Sequence, residues 1–425
     1  MVMILEDYKN NMMRCTRCSY CKWIPHPVMS DLRFTGVCPS IEKYHFHGWS
    51  GGGKQIAALS LLQGRTEMSE SFADMVYQCQ MCGGCDVSCK VERDLEPYEV
   101  LQCLRFRCVE TGQLLDAHTE VMESLKKEDN TMLGLKSERG DWAEGIAVKN
   151  LSTEKAEVLF HAGCRYSFDK ELHPTARAGL KLLLNAGVDV GIMGREEVCC
   201  GGRSYEMGYK GEFLKYAQSQ SDLWKAKGIK TVVTPCAECF QAFSVLYDKE
   251  KITSQVEILH ISTFLDRLIS DGKITLKKSV PITVAYHDPC HLGRLSEPWV
   301  HWEGREVKVL GQSIIYDPPK NKRTGRGAYD IPRNILGSIP GLKMVEMPRK
   351  REYAWCCGSG GGVKQAFPDF AMETAAKRLK EAEAVGAEAL VSACPWCKHN
   401  FMDAVVDSGS EMKIYDIIDL VAQAM

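Results

Sequence analysis

The chain has 425 residues, of which 45% are hydrophobic and 25% are charged, and its formal net charge is -2. This length suffices for two or three domains of ordinary size, and the composition is typical of a globular protein with a sizeable core. A net charge so near zero excludes a general attraction to nucleic acid or to an anionic membrane.

Nothing near the N-terminus resembles a secretory signal, because Met1 to Arg14 is polar and interrupted by charges. Apolar runs such as Ile56 to Leu59 are far too short to cross a membrane. In a chain without an export signal, 20 cysteines favour metal ligation in a reducing compartment over disulfides. We therefore expect a cytoplasmic protein that does not insert directly into a membrane.

Residues 1 to about 150 carry two cysteine-rich loops among predicted helices. The pattern predicts a helix over Met68 to Gln78 and another over Pro97 to Thr111. Each loop has the spacing Cys-x-x-Cys-x-x-Cys and a fourth cysteine farther along the chain. The members are Cys15, Cys18, Cys21 and Cys38, then Cys79, Cys82, Cys85 and Cys89.

Three thiolates at three-residue steps can bind three corners of a cubane iron–sulfur cluster, and the fourth ligand usually comes from the partner motif. Exchange of the fourth ligands predicts two [4Fe–4S] clusters. The first would be held by Cys15, Cys18, Cys21 and Cys89, and the second by Cys79, Cys82, Cys85 and Cys38. A pair of zinc sites is the alternative, although zinc typically takes its four ligands as Cys-x-x-Cys pairs.

Two further segments of this region have no cysteines. The stretch from Gly48 to Lys54 has the spacing of a P-loop, but Gln55 stands where a Ser or Thr should bind magnesium. We therefore predict a flexible loop there rather than a nucleotide site. A charged stretch from Glu123 to Lys155 predicts a linker to the rest of the chain, within which a helix is still allowed.

Residues 156 to 425 form an internal duplication. Each copy contains, in order, a lone cysteine, a Cys-Cys-Gly and a Cys-x-x-Cys. The members are Cys164, Cys199, Cys200, Cys236 and Cys239 in the first copy, and Cys290, Cys356, Cys357, Cys394 and Cys397 in the second. The second copy is longer between its lone cysteine and its Cys-Cys-Gly, and we place this insert near Glu297 to Ala328.

Both copies alternate short β-branched runs with longer amphipathic segments, which predicts an α/β fold with mostly parallel sheets. The predicted strands are Val158 to His161, Val188 to Met193, Thr231 to Thr234, Ile282 to Tyr286, Lys343 to Met347 and Ala389 to Val391. The predicted helices are Leu172 to Asn185, Gly211 to Lys227, Ile261 to Ile269 and Asp369 to Val385. The cysteines follow the strands, where open α/β sheets build their sites.

Three domains follow from this organisation: a helical ferredoxin-like domain at 1–150, a first Cys-Cys-Gly domain at 151–280 and a second at 281–425. Five cysteines in each copy exceed the four that zinc or a cubane cluster needs. Two adjacent cysteines cannot easily bind one metal ion, but they can bind different irons of an extended cluster. The glycine after them permits a tight turn close to the metal.

The paired Cys-Cys-Gly domains resemble those of the catalytic subunit of heterodisulfide reductase. The stretches His287-Asp-Pro-Cys-His-Leu-Gly-Arg294 and Tyr329-Asp-Ile-Pro-Arg333 carry the same resemblance. The ferredoxin-like region joined to them is similar to the single-chain version of that subunit. The resemblance implies that each five-cysteine set holds a noncubane [4Fe–4S] cluster and that a disulfide substrate binds between the two. It also implies a flavin-containing, electron-bifurcating partner or other redox subunits.

We therefore expect an iron–sulfur oxidoreductase subunit that takes electrons from a flavoprotein. They would pass through two cubane clusters to two noncubane clusters that reduce a disulfide or a similar two-electron acceptor. The first alternative is a pure electron-transfer subunit, resembling those of glycolate or lactate dehydrogenases or of class II benzoyl-CoA reductase complexes. The second is a zinc protein whose cysteines only fold the chain.

Few residues outside the cysteine groups are candidates for function, and none is predicted to be catalytic beyond the cluster ligands. His161 and His287 lie three residues before Cys164 and Cys290, where they can donate protons to a cluster or simply pack at a strand end. Cys103 and Cys108 are predicted to be ordinary buried helix cysteines.

Overall fold

The structure, a computed structural model, describes residues 4–92, 95–252, 254–297, 304–309, 313–317 and 327–425. Its N-terminal region is helical and folds around a small core of its own, which includes Met12, Val76 and Leu101. The helices are α1 (Lys9–Met13), α2 (Pro39–Tyr44), α3 (Gly51–Leu62), α4 (Glu70–Tyr77), α5 (Gly84–Glu92), α6 (Pro97–Glu110) and α7 (Asp116–Glu128).

The first copy of the duplication contains a five-stranded parallel sheet. Its strands are β1 (Lys149–Asn150), β2 (Val158–Phe160), β3 (Val190–Ile192), β4 (Thr231–Thr234) and β5 (Glu257–His260), in the order β1-β3-β2-β4-β5. Its helices are α8 (Gly163–Phe168), α9 (His173–Asn185), α10 (Gly202–Met207), α11 (Lys210–Lys227), α12 (Ala237–Gln241), α13 (Tyr247–Lys249) and α14 (Ile261–Ser270). A π-helical stretch at Ala242–Leu246 connects α12 to α13.

The second copy contains a four-stranded parallel sheet and a separate antiparallel hairpin. Its strands are β6 (Thr283–Tyr286), β7 (Arg305–Val309), β8 (Ser313–Asp317), β9 (Lys343–Val345), β10 (Ala389–Ser392) and β11 (Lys413–Asp416). The sheet order is β11-β10-β6-β9, and β7 pairs with β8. Its helices are α15 (Asp330–Ser338), α16 (Val363–Ala366), α17 (Pro368–Ala384), α18 (Pro395–Ser408) and α19 (Ile417–Ala424).

The two sheets share one topology, because β3-β2-β4-β5 and β9-β6-β10-β11 occupy equivalent positions. Side chains of both sheets lie in one continuous apolar core. The central strands β2 and β10 are buried along their whole length, as expected when helices cover both faces of a parallel sheet. The predicted α/β fold is therefore confirmed, and each predicted strand and helix has a counterpart in the structure.

The prediction of a linker at Glu123 to Lys155 is wrong. This stretch contains the end of α7 and the edge strand β1, and it buries Trp142 and Leu151 in the core of the two sheets. Its many charges suggested an exposed segment. Most of the charged side chains are indeed exposed or form pairs such as Arg139 with Glu197, while the apolar side chains between them are buried. The insert predicted near Glu297 to Ala328 lies only partly within the described residues, and its described part includes the β7–β8 hairpin.

Candidate metal centres

Site A is a cavity in the N-terminal region lined by four cysteines. They are Cys15, Cys18, Cys21 and Cys89. Arg17 and Ser19 adopt φ angles of 58° and 69°, and these left-handed residues turn the chain sharply between successive cysteines. Cys18 is exposed to solvent, whereas Cys21 and Cys89 are buried. Site A therefore lies at the protein surface.

Site B is a second cavity, lined by Cys38, Cys79, Cys82 and Cys85. Here Met81 and Gly83 have φ angles of 51° and 68° and turn the loop. Cys38 comes from a different segment, directly before Pro39 at the start of α2. The structure thus brings together the same two groups of four that the exchange of fourth ligands predicts, while their binding of clusters stays a prediction.

The first turn of α3 lies against both sites. The prediction of a flexible loop at Gly48 to Lys54 is therefore wrong, because α3 begins within this segment. Ser50 caps the helix by accepting a hydrogen bond of 3.0 Å from the Gly53 amide. The Gly52 amide donates to the Cys21 sulfur over 3.2 Å. A Cβ atom on Gly51 would lie 2.8 Å from the Cys85 Cβ. The glycines therefore permit close approach of the helix to the cysteines.

Site C gathers the five cysteines of the first copy, all buried. Cys164 follows β2, and Cys236 follows β4 and precedes α12. Cys199 and Cys200 precede Gly201, whose φ of 79° provides the turn expected after a Cys-Cys pair. The thiols interact in the order Cys164, Cys199, Cys200, Cys239 and Cys236. The five therefore lie together at the carboxyl edge of the parallel sheet, as predicted.

Site D is the equivalent group in the second copy. Cys290 follows β6, Cys394 follows β10, and Gly358 after Cys357 has a φ of 99°. The thiols of Cys356, Cys357, Cys397 and Cys394 interact in that order, and Cys290 lies near Cys357 and Cys356. All five side chains are buried.

Site D is in contact with both site B and site C. The thiol of Cys82 in site B interacts with that of Cys356 in site D. The thiol of Cys394 in site D interacts with that of Cys236 in site C. Because α3 contacts both A and B, the four sites form a continuous series in the order A, B, D, C.

Comparison with known families finds two kinds of cysteine-rich domain in this chain. Residues 11–92 match the model of the 4Fe-4S dicluster domain, and residues 158–244 and 321–402 match that of the cysteine-rich domain called CCG. One subunit of the dihydromethanophenazine:CoB--CoM heterodisulfide reductase of Methanosarcina mazei is 31% identical over 97% of this chain and 93% of its own. The chain belongs to the family of this heterodisulfide reductase component. The matches identify it as an iron–sulfur redox subunit.

Two further similarities are more distant. One subunit of the fumarate reductase (CoM/CoB) of Methanothermobacter marburgensis is 27% identical, with 82% of this chain and 61% of the relative covered. A crystal structure of a hypothetical protein from Helicobacter pylori matches with a TM-score of 0.52 and 9% identity. It covers 88% of this chain and 68% of the other, and at this identity it shows the fold alone.

The donor sets fit the [4Fe–4S] clusters that the family implies. Sites A and B each place four thiols around one cavity, and soft thiolates are the ligands of such clusters. Burial raises the pKa of Cys38 to about 12, and burial likewise raises that of Cys89. Without metal these thiols would stay protonated, whereas coordination deprotonates a thiol outright. Buried cysteines grouped in this way are therefore suited to a cationic iron centre.

Arg105 on α6 joins the N-terminal region to both copies, and its position could not be predicted from the sequence. Its side chain is fully buried and donates hydrogen bonds to four main-chain carbonyls. These are the carbonyls of Tyr77 (3.1 Å), Cys79 (2.6 Å), Glu206 (2.8 Å) and Gly361. One guanidinium thus fixes the loop of site B against α10 of the first copy and the glycine run of the second.

Arg139 lies in the segment mistaken for a linker and contacts site C. Its Nη2 atom is 3.6 Å from the Cys164 sulfur and 3.1 Å from Glu197 Oε1. Glu197 in turn accepts hydrogen bonds of 3.0 Å from the amides of Ala162 and Gly163. Burial opposes the ionised form of Glu197, but its interactions with His161 and Arg139 hold its pKa below the ordinary value.

A group of buried charged side chains lies between sites C and D. Arg203 donates to the Ser359 carbonyl and to Glu238 Oε2, both over 2.7 Å, and its guanidinium packs 4.1 Å from the centre of the Trp396 ring. His291 lies 3.3 Å from the Cys290 sulfur. Arg203 directly follows the first Cys-Cys-Gly-Gly, and His291 directly follows Cys290. Their position next to these motifs could have identified both residues from the sequence.

The two histidines predicted at the sites differ in their surroundings. His287 interacts with Cys357, and its ring can form a metal-binding group with Cys357 and Cys397. His161 instead lies 3.7 Å from Glu197 and packs edge-on against Phe243. Burial lowers the pKa of both. Cys103 and Cys108 are buried in α6 and belong to none of the four cysteine sites, as predicted.

In the part of the chain that the structure describes, no helix has the length and apolar character needed to cross a membrane.

Proposed function

We propose that this chain is the disulfide-reducing component of a heterodisulfide reductase-type complex in the cytoplasm. Electrons would enter from a flavin-containing, electron-bifurcating partner or another redox subunit. They would pass through [4Fe–4S] cubanes at sites A and B to noncubane [4Fe–4S] clusters at sites D and C. The acceptor would be a low-molecular-weight disulfide or a chemically similar two-electron acceptor.

The observation that carries this proposal is the unbroken series of cysteine sites. Site A is at the surface through Cys18, helix α3 connects it to site B, and site D is in contact with both B and C. Sites D and C are buried and adjoin each other, which favours a terminal reaction there over electron exit to a protein partner. The names of the relatives, which are components of a heterodisulfide reductase and of a fumarate reductase (CoM/CoB), support a reductase complex.

The ligands we assign are the four cysteines of A, the four of B and the five each of D and C. Clusters bound there supply single electrons, and two of these with two protons convert one disulfide to two thiols. Five ligands with an adjacent pair in each of sites C and D support the noncubane form, since a cubane needs only four. A zinc ion takes four ligands, so zinc would leave one cysteine of each group of five without a metal.

The chain's own residues shape the region between C and D. Arg203 and Glu238 form a buried ion pair there, and Trp396 covers the guanidinium. Burial raises the pKa of Glu238 to about 7, against the opposing charge of Arg203. Such a region excludes bulk water. A disulfide bound here would lie between the two noncubane sites.

The test is anaerobic purification of the full chain, followed by iron, zinc and sulfide analysis and assay with low-molecular-weight disulfides. We expect iron and sulfide without zinc, and disulfide-dependent oxidation of the pre-reduced protein. Reducible clusters that never react with any disulfide would favour the pure electron-transfer alternative. Zinc without iron or sulfide would remove the proposal, and co-purifying subunits from the native host would identify the partner.

A further inference from the structure

Lys54 is a buried cation that the proposed function leaves unexplained. It follows the three glycines of the first turn of α3 and is 2% exposed. Its Nζ atom lies 3.3 Å from the Ser40 hydroxyl oxygen, which itself donates a 2.7 Å hydrogen bond to the Gln78 carbonyl. No carboxylate among the described residues forms an ion pair with Lys54.

The ammonium group lies against the two segments that deliver ligands to site B. Ser40 is two residues after Cys38, and Gln78 directly precedes Cys79. Burial raises the pKa of Cys38, and the charge of Lys54 works against that rise, so the positive charge acts on this ligand. Site A receives a different contact from the same helix, the amide of Gly52 on the Cys21 sulfur.

A buried ammonium without a counter-ion is costly, because burial in a medium of low polarity disfavours an isolated charge. An anion at site B would remove that cost. A [4Fe–4S] cluster with four thiolates carries a net negative charge, and it becomes more negative when it accepts an electron. A cation held nearby stabilises the reduced form more than the oxidised form, because their attraction grows with the charge.

We propose that Lys54 sets the reduction potential of the cluster at site B above that of the cluster at site A. This inference rests on the proposed function, which assigns a [4Fe–4S] cluster to each site. Lys54 would make B the preferred acceptor of an electron arriving at A, and so would direct electrons inwards. The glycines before it allow α3 to come close enough to both sites to treat them differently.

The experiment is a redox titration of the full, cluster-loaded chain, followed by electron paramagnetic resonance. Cys18→Ser and Cys79→Ser first assign the signals of sites A and B. Lys54→Met removes the charge, and Lys54→Gln removes it while keeping a hydrogen-bond donor for Ser40. Both should lower the reduced-to-oxidised ratio of site B about tenfold at fixed potential, which is about 59 mV for a one-electron couple. The ratio at site A should change less.

Lys43→Met is the matched control. Lys43 lies on α2 after Cys38, but its side chain is partly exposed and paired with Glu373. The same loss of charge there is screened by solvent, so the ratio at site B should change less than about twofold. Iron and sulfide contents of every variant establish that the clusters are present.

Two results would overturn the inference. One is an unchanged ratio at site B in both Lys54 variants with the cluster present. The other is loss of the site B signal in both variants with site A intact, which would make Lys54 a requirement for assembly. A wild-type chain that contains iron but has no [4Fe–4S] signal at site B would instead contradict the proposed function.

Discussion

Glu206 of the first copy and His291 of the second lie 2.6 Å apart, and this pair joins the two copies beside Cys290. The other oxygen of Glu206 accepts a 3.0 Å hydrogen bond from the amide of Gly361. Burial opposes a charged His291, but Glu206 and Cys290 outweigh it and raise its pKa well above the ordinary value. The pair is therefore ionic and lies in the interior.

Glu206→Gln should destabilise the protein because it leaves a buried imidazolium without its counter-charge. Removing one partner of a buried pair typically costs about 3 kcal/mol or more. Chemical unfolding of the cluster-loaded chain under anaerobic conditions measures this loss. Glu212→Gln is the control, because Glu212 pairs with the exposed Lys126 and such surface pairs contribute about 1 kcal/mol at most. Equal stability of the two variants would contradict a structural role for Glu206.

Arg105→Met should loosen the N-terminal region from both copies. Four buried carbonyls would lose their donor, and each buried acceptor left unsatisfied costs about 1–3 kcal/mol. We expect faster limited proteolysis between α6 and β2, read on gels of the anaerobic protein. Arg107→Met changes the same residue type two positions on, where the partner Glu6 is on the surface, and it should leave proteolysis unchanged.

Cys356→Ser should abolish the normal cluster signal of site D while sites A and C keep theirs. Because Cys356 interacts with Cys82, the signal of site B should remain but shift. Paramagnetic resonance with iron analysis measures both effects. Cys108 is a buried cysteine outside the four sites, so the control variant Cys108→Ser should retain all iron. Simultaneous loss of every cluster signal in Cys356→Ser would contradict separately folded sites.

Asp416 makes the stability depend on pH. Burial and the charge of Asp419 raise its pKa to about 7, from 3.8 for an unperturbed aspartate. The folded state thus binds this proton more tightly than the unfolded state. The resulting stabilisation is complete below about pH 4 and is lost as the pH rises to about 7.

Asp416→Asn should flatten this dependence. Asparagine can still cap α19 at the Ile418 amide through its Oδ1 atom, and its Nδ2 atom can donate to the Tyr166 hydroxyl oxygen, but it does not titrate. Unfolding free energies of both proteins between about pH 4.5 and 7.5 give the comparison, and the wild type should lose stability more steeply. Parallel curves would show that Asp416 is ionised throughout.

The sequence predicted the parts of the fold that depend on local pattern. Short β-branched runs marked β2, β4, β6 and β10, because buried parallel strands need continuous apolar residues. The cysteine triplets followed from spacing because each lies on one loop, the fourth members followed from the exchange between the two motifs, and the groups of five followed from the duplication. Strands β5 and β11 were not predicted, and each is an edge strand with an exposed first residue and little apolar periodicity.

Other parts could not be predicted because they depend on contacts between distant residues. Arg105 and Arg139 are long polar side chains in sequences that suggest a solvated surface, and only the folded chain shows that main-chain carbonyls and carboxylates surround them. The glycines before Lys54 suggest a loop by composition. They form a helix because Ser50 caps it and two cysteine loops pack against its bare first turn.

The glycine run after the second Cys-Cys-Gly lies directly on the loop of site B. A Cβ atom at Gly360 would be 2.3 Å from the Gln80 carbonyl oxygen, and one at Gly361 would be 2.9 Å from that of Cys79. Main chain therefore touches main chain where the N-terminal region meets the second copy of the duplication. Under the proposed function, an electron would cross here between segments that are already in contact, and even a single methyl group at position 360 would widen the gap that it must tunnel through.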